Sequence, residues 1–281
     1  MVDPVATRAP RTVAYGATGP TAIEGRMILI QQAYASADPR RQRELDDARD
    51  RNRAAGVFTA FESVDGSARR ASFADLFRLA AERVAGRVCV IANSDIACDA
   101  SLRLAEPLLA DGRPVLVALT RWDDASGPSM EGRVDATDWR FYSHSQDTWV
   151  FVAGRLPPFP ADFLLGIPGC ESRLAFEAAA AGVTVVDPAL SIRTWHLHAS
   201  GTRSWTRRDA YRGPVLFPRL TTSDDASGAA LVRERRWWGR RETPVASTGD
   251  AAAFAARRAV ELPFSLKRIR LRSPFYVKKR P

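Results

Sequence analysis

The sequence predicts an α/β protein whose sheet is mostly parallel at its start, and three observations carry that reading. Short apolar runs alternate with helical patterns from Met27 to about Ser200. One run, Val88–Ala92, is apolar throughout, as expected of a central strand covered on both faces. With 281 residues and 46% hydrophobic composition, the chain can form a core that hides roughly 75% of its unfolded surface.

Each element has its own justification. Residues 27–30 and 57–61 are apolar strands, and the polar segment 40–55 between them reads as an exposed helix, which makes a βαβ start. Ser72 and Asp75 form an N-cap pair, after which Phe73, Leu76, Phe77, Ala80 and Val84 share one helical face before Gly86. Val88–Ala92 runs straight into Asn93, Ser94 and Asp95. Leu102, Ala105, Leu108 and Leu109 predict a further amphipathic helix, and residues 114–119 and 148–153 predict strands. Residues 171–181 read as a helix closed by Gly182, 183–186 as a strand and 190–197 as an extended segment with two histidines. Past Ser200 the periodicity fades.

Charge divides the chain at the same place. Residues 1–200 hold 22 basic and 25 acidic residues, a net of −3, while residues 201–281 hold 19 basic and 7 acidic, a net of +12. The expected organisation is therefore an N-terminal extension over 1–26, an α/β domain over 27–200 and a basic C-terminal extension over 201–281, with a helix as one option for the last. Cys89, Cys98 and Cys170 are an odd number without a C-x-x-C pair, which argues for a reducing compartment and against a disulfide framework or structural zinc. No run of 18 uncharged apolar residues exists, and residues 1–21 lack a signal-like apolar stretch, so the expected location is cytoplasmic, or peripheral at the inner face of the membrane.

Ligands of open α/β sheets bind beyond the carboxyl ends of the strands, so the residues there are the functional candidates. Gln31, Gln32 and Tyr34 follow the first strand, Glu62 the second, Asn93 and Asp95 the third, and Arg121, Trp122 and Asp123 the run ending at Leu119. An aspartate in that position can hold Mg²⁺ or Mn²⁺ and bridge it to substrate phosphates, which points to a nucleoside-diphosphate ligand. The competing reading is a simple turn, with Asp99 capping the next helix. His196 and His198 alternate on an extended segment, so both can face one side while Leu197 packs inward; a metal site or exposed polar residues are the alternatives. Zinc would need His144 as a third imidazole.

Five segments in register sharpen this. Ile91-Ala92-Asn93-Ser94-Asp95-Ile96, Ala118-Leu119-Thr120-Arg121-Trp122-Asp123, Ser145-Gln146-Asp147-Thr148-Trp149, Gly166-Ile167-Pro168-Gly169-Cys170-Glu171-Ser172-Arg173 and Ile192-Arg193-Thr194-Trp195-His196-Leu197-His198 resemble bacterial nucleotide-sugar glycosyltransferases with the A-type fold. The resemblance spans residues 27–200. It implies a Rossmann-like sheet flanked by helices, a divalent cation (Mn²⁺ or Mg²⁺) held by an Asp-x-Asp-type motif, and transfer of a sugar to an acceptor hydroxyl in surface-polysaccharide or glycolipid synthesis. Asn93 stands where the family commonly has aspartate, leaving Asp95 as that motif's full carboxylate.

On this reading Gln31, Tyr34 and Glu62 receive the nucleoside, Asn93 and Asp95 the ribose, diphosphate and metal, and Arg121 and Asp147 the donor sugar or acceptor. His198 or His196 completes the metal shell. The position of Glu171 resembles that of the acidic base of inverting members, with Asp147 as its rival; a first-turn glutamate favoured by the helix dipole is the plain alternative. Arg121, Arg173 and Arg193 could bind diphosphate or an acidic sugar. Trp122, Trp149 and Trp195 could stack on a sugar or belong to the core. Cys170 has no base beside it in sequence.

The basic segments 233–241 and 263–280 interleave aromatic and basic residues, which suits an anionic bilayer or a glycan acceptor better than nucleic acid, for which no module is present. The partners expected are thus a nucleotide-sugar donor, a saccharide or lipid-linked acceptor and an anionic membrane surface. Two other classes stay open. A sugar-phosphate nucleotidyltransferase would want a glycine-rich basic loop after the first strand, which residues 31–37 lack, and a nucleic-acid-binding protein would act through its tail alone.

Overall fold

The structure is a computed structural model and describes residues 27–124, 127–129, 142, 145–202, 205–206, 208–236, 239–249 and 254. The expected N-terminal extension, His144 and the basic segment 263–280 lie outside the described residues. β1 (Met27–Ala33) opens with four buried residues, and α1 (Pro39–Ala54) follows from an Asp38 cap that accepts Arg40 N–H, with Pro39 in the first turn. α1 is charged almost throughout, yet Arg41, Leu45, Ala48 and Asn52, spaced four, three and four apart, form a buried stripe. β2 (Phe58–Asp65) alternates between half-buried and exposed, as an edge strand should. α2 (Phe73–Arg83) starts with the predicted capping box, Ser72 and Asp75 bonding reciprocally.

β3 (Val88–Ala92) is buried at every position and leads into β4 (Ile96–Cys98). The helix expected around residues 102–109 is instead two 3₁₀ turns, Ala100–Ala105 and Pro107–Leu109. Pro107 has no N–H to donate and its ring would strike the preceding turn, so a continuous helix cannot cross it. Then come β5 (Val115–Thr120), β6 (Trp122–Asp124), β7 (Gly127–Pro128), β8 (Gln146–Val152), α3 (Cys170–Ala180), β9 (Thr184–Val186), β10 (Thr194–His196), β11 (Val215–Pro218), β12 (Ala230–Arg236) and β13 (Gly239–Val245).

The principal sheet has the order β2-β1-β3-β8-β5-β9. β1 pairs parallel with β2 and β3, and β5 parallel with β9, while β8 is antiparallel to both β3 and β5. The mostly parallel sheet therefore contains one reversed strand, and it is a mixed, Rossmann-like α/β sheet. Alternate residues of its strands feed two cores. Ile28, Ile91, Ala118, Trp149 and Phe151 pack with α2 and α3, and Leu29, Val90, Val117 and Val150 with Leu102, Ala105, Leu108 and Leu109 of the 3₁₀ turns. Trp149 meets Phe73 edge-on at 4.5 Å between ring centroids.

Two smaller sheets complete the described chain. The order β4-β10-β6-β7 folds over the carboxyl rim of the principal sheet, because β4 and β6 leave β3 and β5 after only a few residues. The antiparallel sheet β11-β12-β13 occupies part of the basic extension. β11, β12 and β13 thus stand where a helix was the option, and Leu216, Ala230 and Val232 enter the same core as α3. The core continues past Ser200.

Candidate functional site

Three strand ends and the small rim sheet converge above β1, β3 and β5. Asn93 to Asp95 form a turn closed by Ile96 N–H donating to Asn93 O. The turn is pinned from its neighbours: Gln31 Nε2 donates to Asn93 O at 2.9 Å, Ser94 Oγ to Gln32 O at 2.7 Å, and Asn93 Nδ2 to Asp147 Oδ1 at 2.5 Å. Asp99 also caps the following turn by accepting Ser101 N–H, as the turn reading expects.

Asp95 is only 5% exposed and its Oδ2 receives three cationic or imidazole groups: Arg41 Nη2 at 2.7 Å, His198 Nδ1 at 3.2 Å and His196 Nε2 at 3.4 Å. Burial alone would raise its pKa, but hydrogen bonds from His196 and His198 and the charges of His196 and Arg41 outweigh that and hold the carboxyl well below the usual range. His196 places its other nitrogen, Nδ1, 3.1 Å from Asp123 Oδ1. Burial would lower its pKa; contact with Asp95 and the charge of Asp147 win, and it is raised. The alternation at 196 and 198 does bring both rings to one side, 5.3 Å apart, but Leu197 is half-buried and lines the cavity.

Asp147 and Glu171 stand across the same space. Both Asp147 oxygens are engaged, Oδ1 by Asn93 and Oδ2 by Arg121 Nη1 at 2.8 Å. Glu171 opens α3 after a turn in which Gly169 takes the left-handed conformation, φ 82°, against the Tyr211 backbone. By surface area Glu171 is partly exposed, but enough protein encloses its carboxyl for desolvation to dominate. Burial first, then the Asp147 charge, push it up to about 8. A glutamate placed only to complement the helix dipole would be shifted the other way.

These groups line one cavity of 1810 Å³. Its wall includes Tyr34, Asn93, Asp95, Arg121, Asp147, Glu171, His196 and His198. Gln31 and Glu62 stand apart: both border a smaller cavity of 260 Å³ beside α1, where Glu62 is paired with Arg83 at 3.0 Å. Arg173 pairs with Glu177, and Arg193 lies 3.5 Å from Asp99, both away from the wall. Trp149 is core, while Trp122 donates to Ala189 O and Trp195 to Asp99, so their indoles are structural. Cys170 is fully buried and its thiol is pushed well above the usual range, chiefly by burial, so it is no nucleophile. Arg41, Glu44, Arg70 and Trp205 also line the cavity and were not anticipated.

One oxygen of Asp95 and one nitrogen from each of His196 and His198 lie within 4.8 Å of one another, a grouping that could hold a metal ion. The donor set fits. His198 Nε2 is a buried atom with no hydrogen-bond partner among the described residues, so ligation through that nitrogen would leave no bond behind. Two imidazoles beside one carboxylate favour a first-row transition ion over Mg²⁺. Comparison with family models, curated proteins and solved structures gives no match to this chain. Among the described residues no helix is long and apolar enough to cross a membrane.

Proposed function

We propose that this protein is a metal-dependent glycosyltransferase that moves a sugar from a nucleoside-diphosphate donor to a hydroxyl of a saccharide or lipid-linked acceptor. The observation that carries the proposal is the single cavity shared by Asp95, the histidine pair, Asp147 and Glu171 at the carboxyl ends of the parallel strands. The divalent ion, Mn²⁺ before Mg²⁺, would be held by Asp95, His196 and His198 and would supply positive charge where the departing diphosphate gathers negative charge.

The remaining steps belong to side chains. Tyr34 and Asn93 line the cavity and take the nucleoside and its ribose, with Gln31 acting behind Asn93 by fixing its carbonyl. Arg121, held by Asp147 and Asp123, presents a guanidinium to the donor. Glu171 accepts the acceptor's hydroxyl proton, and its elevated pKa makes its ionised form a stronger base than an ordinary carboxylate. Inversion is the outcome expected of one such base. The basic extension serves an anionic bilayer or glycan on which the acceptor is carried.

The direct test is thermal-shift screening against UDP-, GDP-, CMP- and dTDP-linked sugars with and without Mn²⁺. Saturation with the true donor should raise Tm by roughly 5 °C or more, and Mn²⁺ should enlarge the shift. Donor turnover unchanged in Asp95→Ala, or no shift with any nucleotide sugar, overturns the reading.

A further inference from the structure

Asp95 Oδ2 is crowded. The oxygen offered to a metal is already 2.7 Å from Arg41 Nη2, closer than either histidine nitrogen. A guanidinium keeps its charge at any pH the protein meets, so this contact is permanent as far as protonation goes. Nor is Arg41 a roaming surface chain. It is 9% exposed, its Nη1 lies 3.0 Å from Glu44 Oε2, and its Nη2 donates to Tyr34 Oη at 3.3 Å. Glu44 in turn accepts Ser200 N–H and the Ser200 hydroxyl, which ties α1 to the segment carrying His198.

We propose that Arg41 is the resident cation of this site, and that a divalent ion must displace it from Asp95 in order to bind. The inference rests on reading Asp95, His196 and His198 as metal ligands; it does not need sugar transfer. Two cations on one buried carboxylate oxygen repel each other in surroundings far less screening than water. Glu44 gives the displaced guanidinium somewhere to go, since it already holds the other arm of the fork. Arg41 therefore sets metal affinity without being a ligand, and the two carboxylates on either side of it divide its charge.

Titration of the full chain with Mn²⁺ alone, followed by loss of the free-ion paramagnetic resonance signal, tests this. Arg41→Gln should bind Mn²⁺ roughly tenfold tighter than wild type, because the competitor is gone while the ligands remain. Arg41→Lys, which keeps the charge without the planar fork, should stay closer to wild type. Glu44→Gln should weaken binding, since Arg41 then has only Asp95 as a carboxylate partner, and that effect should vanish in Arg41→Gln/Glu44→Gln. His196→Ala reports on the ligand reading separately by losing the ion. Unchanged or weaker binding in Arg41→Gln, with His196→Ala impaired, overturns the competition and leaves the ligands standing. Absence of Mn²⁺ binding in wild type and every variant overturns both. If Arg41→Gln does not fold, unaltered affinity in Glu44→Gln overturns the competition.

Discussion

Glu171 keeps its proton below about pH 8, because burial and the neighbouring Asp147 charge both penalise the ionised carboxylate. In the proposed role of base it works only when ionised, so kcat/KM for transfer should climb with pH and level off above about 8. Glu171→Gln should remove that limb and lower transfer by about 10²- to 10⁴-fold while donor affinity holds. An intact alkaline limb in the variant would transfer the role elsewhere. Asp95 and the histidine pair were legible in sequence, because strand ends gather ligands and alternation on an extended segment puts residues 196 and 198 on one side. Arg41 was not. Its neighbours Arg40, Arg43, Arg49, Arg51 and Arg53 look the same in sequence, and only the spacing to Leu45, Ala48 and Asn52 hinted that one arginine turns inward.

Elements are joined at the rim by another buried carboxyl. Asp187, just past β9, is fully buried and accepts from Thr120 N–H at 3.0 Å, the Thr120 hydroxyl at 2.5 Å and Gln146 Nε2 at 3.3 Å, so it ties β9 to β5 and β8. Burial raises it to about 7 even though those hydrogen bonds pull the other way. Its folded pKa is above its unfolded one, so between about 4 and 7 the folded chain binds the extra proton and stability falls as pH rises. The loss should be on the order of a few kcal/mol, shared with Glu171 in the same direction. Urea midpoints measured from about pH 4 to about pH 7.5 should decline in wild type, and Asp187→Asn, a neutral isostere, should flatten much of that slope. Equal slopes would place the protonation elsewhere. At this scale the sequence revealed the strands of the principal sheet but not their direction, since the apolar pattern of β8 is the same whichever way it points, and it left β4, β6 and β7 of the rim and β11 to β13 unseen. Pro107 was visible too, and the apolar spacing around it masked its effect.

For the whole molecule, the charge boundary near Ser200 is not a boundary of packing. Leu216, Ala230, Val232 and Phe254 belong to the core that holds α3, and Thr248 Oγ1 accepts Val185 N–H at 2.6 Å beside β9. Removing one large buried side chain costs about 2–5 kcal/mol, and a domain's whole stability is about 5–15 kcal/mol. A chain ending at Gly213 should therefore fail to give a cooperative melt by circular dichroism, whereas one ending after residue 254 should keep it. The longer truncation is the proper partner for liposome binding: if the basic segment beyond it serves an anionic bilayer, the full chain should bind such vesicles more tightly at low salt, and equal binding ends that role. Net charge was countable from composition, but composition cannot tell a tail from a sheet that closes a core.

The reversed strand, β8, begins at the mouth of the cleft, next to Ser145. Arg121 anchors the path on both sides, its carbonyl accepting Ser129 N–H at 2.7 Å and its N–H donating to Ser145 O at 3.1 Å, so the polypeptide departs from and returns to the mouth of the cleft at one point. Ser129 and Ser145 are thereby fastened to a single residue, so Arg121→Pro, which removes the N–H, would unfasten Ser145 while leaving the Ser129 bond in place.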